Sequence, residues 1–192
     1  MKIAGLDVAT NTGWCIAEGQ SFETGLFRNK PKSNCKITRE AERNYNFRRW
    51  LWGFLKIKEI EFVAIEERIK GEMTKTEVDR FGRKSKKSIS NDSAKATAAY
   101  LNGCAQEVCF SLSIPFVLVP VQTWRAAFNG GQKPDLGEDQ KDVTRRICEM
   151  MKIDVKSKDA ADAAGIAFWA QIHTKTERLQ GAAGPLFEGE AA

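Results

Sequence analysis

A chain of 192 residues with a hydrophobic share of 42% and a charged share of 29% has the composition of a globular domain with a sizeable core. No run of roughly 18 apolar residues argues for a transmembrane helix, and MKIAGLDVAT meets an acid at its seventh residue without the apolar core of a signal peptide; a cytoplasmic location is expected. The net charge is +5, and residues 68–95 alone hold nine Lys/Arg against four acids, so the rest sums to about zero and the local excess reads as a polyanion contact or a solvated loop.

In chain order, KIAGLDV (residues 2–8) predicts a short strand, TNTG a turn, and WCIAEG and SFETGLF two more strands of an antiparallel meander. Residues 36–58 have a helical period, with Ile37, Ala41, Tyr45, Leu51 and Leu55 near one face. EFVAIEE (61–67) predicts a β-branched strand, and the polar, basic stretch 68–92 a long loop or arm. Asn91–Ser93 supply caps for a helix reaching about Ser111. IPFVLV (114–119) predicts a buried strand closed by Pro120, and QTWRAAF a short amphipathic piece. A helix around 138–151 carries Val143, Ile147, Met150 and Met151 on one face. The last helix starts after the cap candidate Ser157 and ends near His173. This order implies an α/β domain over residues 1–175, a mixed sheet with helices on both faces and a basic insertion at about 68–92. The tail 176–192 has no clear period and is expected to be disordered.

Asp7 lies at the end of the first strand and Glu66 near the end of the strand at 61–67. A carboxylate there is costly unless paired, hydrogen-bonded or bound to a cation, and strand ends in open α/β sheets face the ligand crevice. SKDAADAAGIAFWA (157–170) adds Asp159 and Asp162 at i and i+3, on one face of the last helix, where Ala160, Ala163 and Ala167 permit close packing on the sheet. Four carboxylates gathered this way repel one another and offer the oxygen-rich set that Mg²⁺ or Mn²⁺ takes. Two such ions activate a water and stabilise the leaving oxygen of a phosphodiester. The competing reading makes Asp159 and Asp162 ordinary acids of a helix N-terminus and Glu66 a surface residue. No second histidine and no lysine is expected among the four acids in the fold, so metal-only chemistry is expected. Five cysteines without a CxxC pair, and a single histidine, His173, argue for buried thiols over a zinc site.

The segments IAGLDVATNTGWCIA, FVAIEE, NDSAKATAAYLNGCAQEV, VPVQTWRAAFNGG, QKDVTRRICEMM and DAADAAGIAFWA occur in the order seen in Holliday-junction resolvases of the RuvC type, which the chain resembles over most of residues 1–173. Most specific are the first acid followed by Thr-Gly-Trp, the Asn-Asp-Ser-Ala helix start and Asp-Ala-Ala-Asp-Ala. The resemblance implies a ribonuclease H-like fold with a five-stranded sheet, and a homodimer with one metal-dependent site per subunit. The reaction it implies is paired nicking of four-way DNA junctions in recombination and repair, leaving 5′-phosphate and 3′-hydroxyl ends. By motif position the catalytic, metal-binding tetrad falls on Asp7, Glu66, Asp159 and Asp162, with two Mg²⁺ bridged by Asp7 and Mn²⁺ as a substitute. Glu67 rivals Glu66, because a one-residue shift flips a strand's faces.

The chain departs from the family where Val8-Ala9 stands in place of the usual Pro-Gly, and in an arm over 68–90 that is longer and more basic. Arg68, Lys70, Arg80, Arg83, Lys84, Lys86 and Lys87, with Lys95 at the helix start, are expected to contact phosphates. Phe81 either stacks on an opened base or anchors the arm to the core or a partner. A two-fold substrate calls for a two-fold dimer, with the helix at 91–111 (Tyr100, Leu101, Cys104) as the expected interface or else a plain core helix. Neither a membrane nor a small-molecule substrate is expected. An ATPase of the actin and sugar-kinase type would need two copies of the fold, and Ala9 stands where its phosphate loop uses glycine. An RNA-processing nuclease of the same fold would typically be shorter and lack the arm. A binding module with a decayed site has no use for four acids facing a polyanion.

Overall fold

The first 28 residues form the expected meander, but its first turn falls at residues 8–10 and not on TNTG, because Asn11–Gly13 already pair within the second strand. In the computed structural model, which describes residues 1–67, 74–78, 84–88 and 92–174, β1 (Ile3–Asp7), β2 (Asn11–Glu18) and β3 (Ser21–Arg28) pair antiparallel in succession. Asp7 lies opposite Gly13, and Gly13 opposite Leu26. The helix α1 (Lys36–Ile57) carries the chain back, so that β4 (Phe62–Glu67) runs parallel to β1 with Leu6 beside Ile65.

Within the basic stretch, β5 (Thr74–Val78) and β6 (Lys84–Ser88) form a separate antiparallel pair. The sequence predicts only a loop or arm there. TKTEV and KSKKS carry polar residues at nearly every position, so no apolar alternation reports a strand. Next come α2 (Asp92–Ser111), β7 (Phe116–Pro120) parallel to β4, α3 (Val121–Asn129), α4 (Gln140–Met150) and α5 (Lys158–His173). The main sheet has five strands in the order β3-β2-β1-β4-β7, mixed in direction as expected.

Each face of the sheet has its own core. Phe47, Leu51 and Leu55 of α1 and Leu101, Ala105 and Val108 of α2 cover one face. On the other, α5 lies across β1 and β2 with α3 and α4 beside it. Gly5 and Gly13 permit that contact: a Cβ on Gly5 would run into the Ala163 carbonyl, and one on Gly13 into the Asp159 carbonyl. Small residues are therefore needed on the strands as well as on the helix.

Several face assignments need correction. Ile37 and Tyr45 are exposed, and the buried stripe of α1 begins at Phe47. Tyr45 is two residues from Phe47 and so about 200° around the helix. Met150 and Met151 are exposed because α4 ends there, and its apolar seam passes from Val143 and Ile147 to Ile153. Leu101, expected at a dimer interface, is fully buried within the core, while Tyr100 beside it is exposed and Cys104 half-buried. Cys15, Cys109 and Cys148 are buried thiols, but Cys35 is exposed. Among the described residues no helix is long and apolar enough to cross a membrane. The tail 176–192 lies outside the described residues.

Candidate active site

Asp7 ends β1 and is nearly buried. The parallel register puts Glu66 one step beyond the Leu6–Ile65 pair, at the same end of the sheet. Strand alternation sends Glu67 to the opposite face. Where the resolvases usually carry Pro-Gly, the turn after Asp7 is held by buried Thr12, whose Oγ1 donates to the Ala9 carbonyl at 2.8 Å. Ser157 caps α5 by accepting from the Ala160 N–H at 3.1 Å, and the glycine contact at Gly13 presses the first turn of α5 onto β2. Asp159 and fully buried Asp162 thereby reach the end of β1.

The four acids of the sequence reading are thus brought to one end of the sheet, and the expectation of no lysine near them fails. Lys141 Nζ lies 2.7 Å from Asp159 Oδ1, 3.3 Å from Asp7 Oδ2 and 3.3 Å from Asp162 Oδ2. Lys141 is placed by the start of α4, where Asp139 and Asp142 form a reciprocal capping box. Lys158 of α5 ties that box to α5 through Asp142 at 2.7 Å and Asp139 at 3.2 Å. Arg125 donates to Asp162 Oδ2 at 3.3 Å, and the indole N–H of Trp124 donates to Glu66 Oε2 at 3.1 Å. Trp124 is in turn fixed by Gly165, where any side chain would strike its ring. These three residues were missed by the sequence reading. The only signal for Lys141 was its place in a helix start, QKDV, 134 residues from Asp7.

The electrostatics follow from burial and mutual repulsion. Burial raises the Asp7 carboxyl to about 6, opposed by Lys141 and assisted by the charges of Asp162 and Asp159. Glu66 is pushed to about 8, first by burial and then by Asp7 and Asp162. Asp162 is raised as well, chiefly by burial. Burial would lower the Lys141 ammonium, but the surrounding aspartates outweigh it and raise its pKa.

A donor set of this kind fits divalent cations. Asp162 Oδ1 is buried with no hydrogen-bond partner among the described residues, and the acids already require a positive charge in their midst. Among the described residues, no three acid, thiol or imidazole groups yet stand together as ligands for one ion; the Lys141 ammonium stands among the acids instead. Of the expected phosphate contacts, Arg68, Lys70, Arg80, Phe81 and Arg83 lie outside the described residues. Lys84, Lys86 and Lys87 fall on β6 and Lys95 in the first turn of α2, none of their side chains being among those described.

The fold is ribonuclease H-like, that of the RuvC-type resolvases, and the resemblance carried by the sequence motifs holds at the level of the whole domain. RuvC from Thermus thermophilus matches with a TM-score of 0.63 at 18% identity, covering 97% of this chain and 100% of that one. T. thermophilus RuvC in complex with a Holliday junction substrate matches at 0.61 and 16% identity, covering 91% and 95%. The yeast mitochondrial Holliday junction resolvase matches at 0.51 and 13% identity, covering 93% and 83%. No family model matches the chain, and no curated protein matches it significantly.

Proposed function

We propose that this chain is a metal-dependent, structure-specific DNA endonuclease that resolves four-way junctions by paired symmetric nicks. The observation carrying the reading is the convergence of Asp7, Glu66, Asp159 and Asp162, from two strands and a helix, at one end of the sheet, three of them around the Lys141 ammonium. Support comes from the likeness to T. thermophilus RuvC in complex with a Holliday junction substrate and to the yeast mitochondrial Holliday junction resolvase.

Asp7, Glu66, Asp159 and Asp162 would hold two Mg²⁺, which would supply water activation and stabilisation of the leaving oxygen of a phosphodiester. The chain's own part is positioning. Trp124 keeps the Glu66 carboxylate aimed by its N–H, and Arg125 does the same for Asp162. Lys141, about one-third exposed at the mouth of the site, offsets the repulsion among the acids and is the cation best placed to meet a phosphate. Residues 1–175 form the nuclease domain in this reading. The stretch 68–92 with its lysines and arginines grips the junction, with Phe81 as a stacking or anchoring residue. A homodimer supplies the second cut, in the cytoplasm.

The test is cleavage of a synthetic four-way junction beside a fork, plain duplex and RNA–DNA hybrid, in Mg²⁺, Mn²⁺, Ca²⁺ and chelator. Symmetric Mg²⁺-dependent nicks are expected, lowered about a thousandfold or more in Asp7→Asn while junction binding persists. Binding without cutting by the wild type in either Mg²⁺ or Mn²⁺ would make the chain a binding module. Preference for the hybrid or for RNA would move it to RNA processing.

A further inference from the structure

The near-zero charge of the chain outside residues 68–95 conceals a second basic segment. Residues 28–49 hold eight Lys/Arg against two acids, and the structure uses both acids locally. Glu42 accepts the backbone N–H groups of Lys32 and Ser33, each at 2.9 Å, which holds its carboxyl below the ordinary range. Glu40 pairs with Arg43 at 2.7 Å. Buried Asn29 donates to the Arg43 carbonyl at 2.8 Å, and the Arg39 guanidinium donates to the Ser33 and Asn34 carbonyls, both at 3.0 Å. The loop from 29 to 35 is thereby fastened along the first half of α1. Arg28, Lys30, Lys32, Lys36 and Arg49 are left exposed, with no carboxylate partner among the described residues. A preorganised set of like charges with nothing to neutralise it is a standing repulsion that a polyanion relieves.

The position of this set is as informative as its charge. β3 is antiparallel to β2, which is antiparallel to β1, so the Arg28 end of β3 lies at the same sheet end as Asp7. Asp7, Gly13 and Leu26 lie in one row, and Arg28 pairs with Asn11 two residues further on. Two strand spacings across and two residues along put the Arg28 backbone roughly 12 Å from that of Asp7. From there a groove of about 620 Å³ runs between β3 and α1, lined by Phe27, Arg28, Lys30, Arg49, Trp50 and Phe54 among others. Its floor is a rigid ring stack, Phe27 on Trp50 at 4.3 Å and Trp50 on Phe54 at 5.2 Å between centroids. Such a floor suits the carbon face of deoxyribose, and a cationic rim suits phosphates.

We infer that the groove between β3 and α1 is a second DNA-backbone site, which carries the duplex arm leaving the scissile phosphate. At about 3.4 Å of rise per nucleotide of one strand, Arg28 and Lys30 meet phosphates roughly three to four nucleotides from the cut, with Arg49 further out. The inference rests on the nuclease reading and adds to it a track independent of the 68–92 arm.

The test compares junction binding by the wild type, by Arg28→Ala/Lys30→Ala/Arg49→Ala, and by a charge-matched control outside the groove, Lys2→Ala/Lys56→Ala/Lys152→Asn. Affinity is measured across salt concentration, with phosphate-ethylation interference on each strand and thermal melting to verify folding. The groove variant is expected to bind about 10- to 100-fold more weakly near 0.1 M salt. Its slope of log affinity against log salt should fall by about 2 to 3, and it should lose interference three to four nucleotides from the cut, whereas the control keeps both. A wild type that binds no four-way junction overturns the nuclease reading and this inference with it. A wild type that binds, with equal slopes and interference in the folded groove variant, overturns the inference alone and assigns the groove to an acidic protein partner or to none.

Discussion

The two faces of the sheet are packed by opposite means. On the α1/α2 face, Phe47, Leu51, Leu55, Leu101 and Val108 fill the space between helix and sheet with bulk. On the α5 face, Gly5 and Gly13 meet Ala160, Ala163 and Ala167 almost backbone to backbone. The α5 face also buries large side chains, such as Trp124, Phe128 and Ile166, beside α3 and α4. Its glycine–alanine contact fixes the distance between α5 and the ends of β1 and β2, and the acids sit at that distance. Both faces bury a core, and the close contact of the second sets the geometry of the site.

The sharpest way to break this division is a cavity on the bulky face. Phe47→Ala is expected to cost about 3–5 kcal/mol of unfolding free energy by denaturant titration. The fraction that remains folded should cleave at the wild-type rate per folded molecule, since Phe47 touches none of the acids. Loss of the per-molecule rate in step with stability would erase the distinction.

Gly13→Ala probes the other face. The added methyl meets the Asp159 carbonyl, so α5 must move off β2 and take Asp159 and Asp162 with it. A drop of about a hundredfold in cleavage is expected, with only about 1–3 kcal/mol of stability lost. A variant equally stable and equally active would show that the close approach is not what positions the acids.

A subtler effect separates the faces by pH. Asp7 and Glu66 titrate in the fold at about 6 and about 8, against ordinary values of 3.8 and 4.5. Raised carboxyl pKa values favour the fold while the groups stay protonated. Their contribution is fully present below about pH 4 and is lost as pH rises through about 6 and then about 8. In chelator the melting temperature should therefore decline between pH 5 and pH 8.5. Glu66→Gln should flatten the upper part of that decline, and Mg²⁺ should raise the melting temperature more at pH 8 than at pH 5. A flat profile, or an equal Mg²⁺ effect at both pH values, would refute the picture of acids held together against their repulsion.

Much of the fold was legible because it rests on local regularities. The meander follows from short apolar runs and from Gly19, which turns with a φ of 61°, while TNTG lies mostly inside the second strand, where cross-strand pairing overrides its turn chemistry. The start of α5 follows from Ser157, and the position of Asp7 and Glu66 at strand ends from where the apolar runs stop. The hairpin β5–β6 was not legible, since its strands have no apolar face to alternate. The buried face of α1 was misjudged because Ile37 and Tyr45 fit a helical period that the core does not use. Lys141, Arg125 and Trp124 were invisible as site residues, since nothing local in QKDV or QTWRAAF points at acids that lie 18 to 134 residues away.

The sequence by itself determined the order of the main-sheet strands and the helices between them, the strand-end placement of two acids, the i, i+3 pairing of two more and the size of the basic excess, all set by periodicity and spacing over a few residues. Only the tertiary structure decided that a lysine stands among those acids, that glycines on the strands admit α5, and that a second set of cations shares the sheet end with the site. Those outcomes depend on which faces meet across long separations, and that is settled by packing and strand register, which no local pattern records.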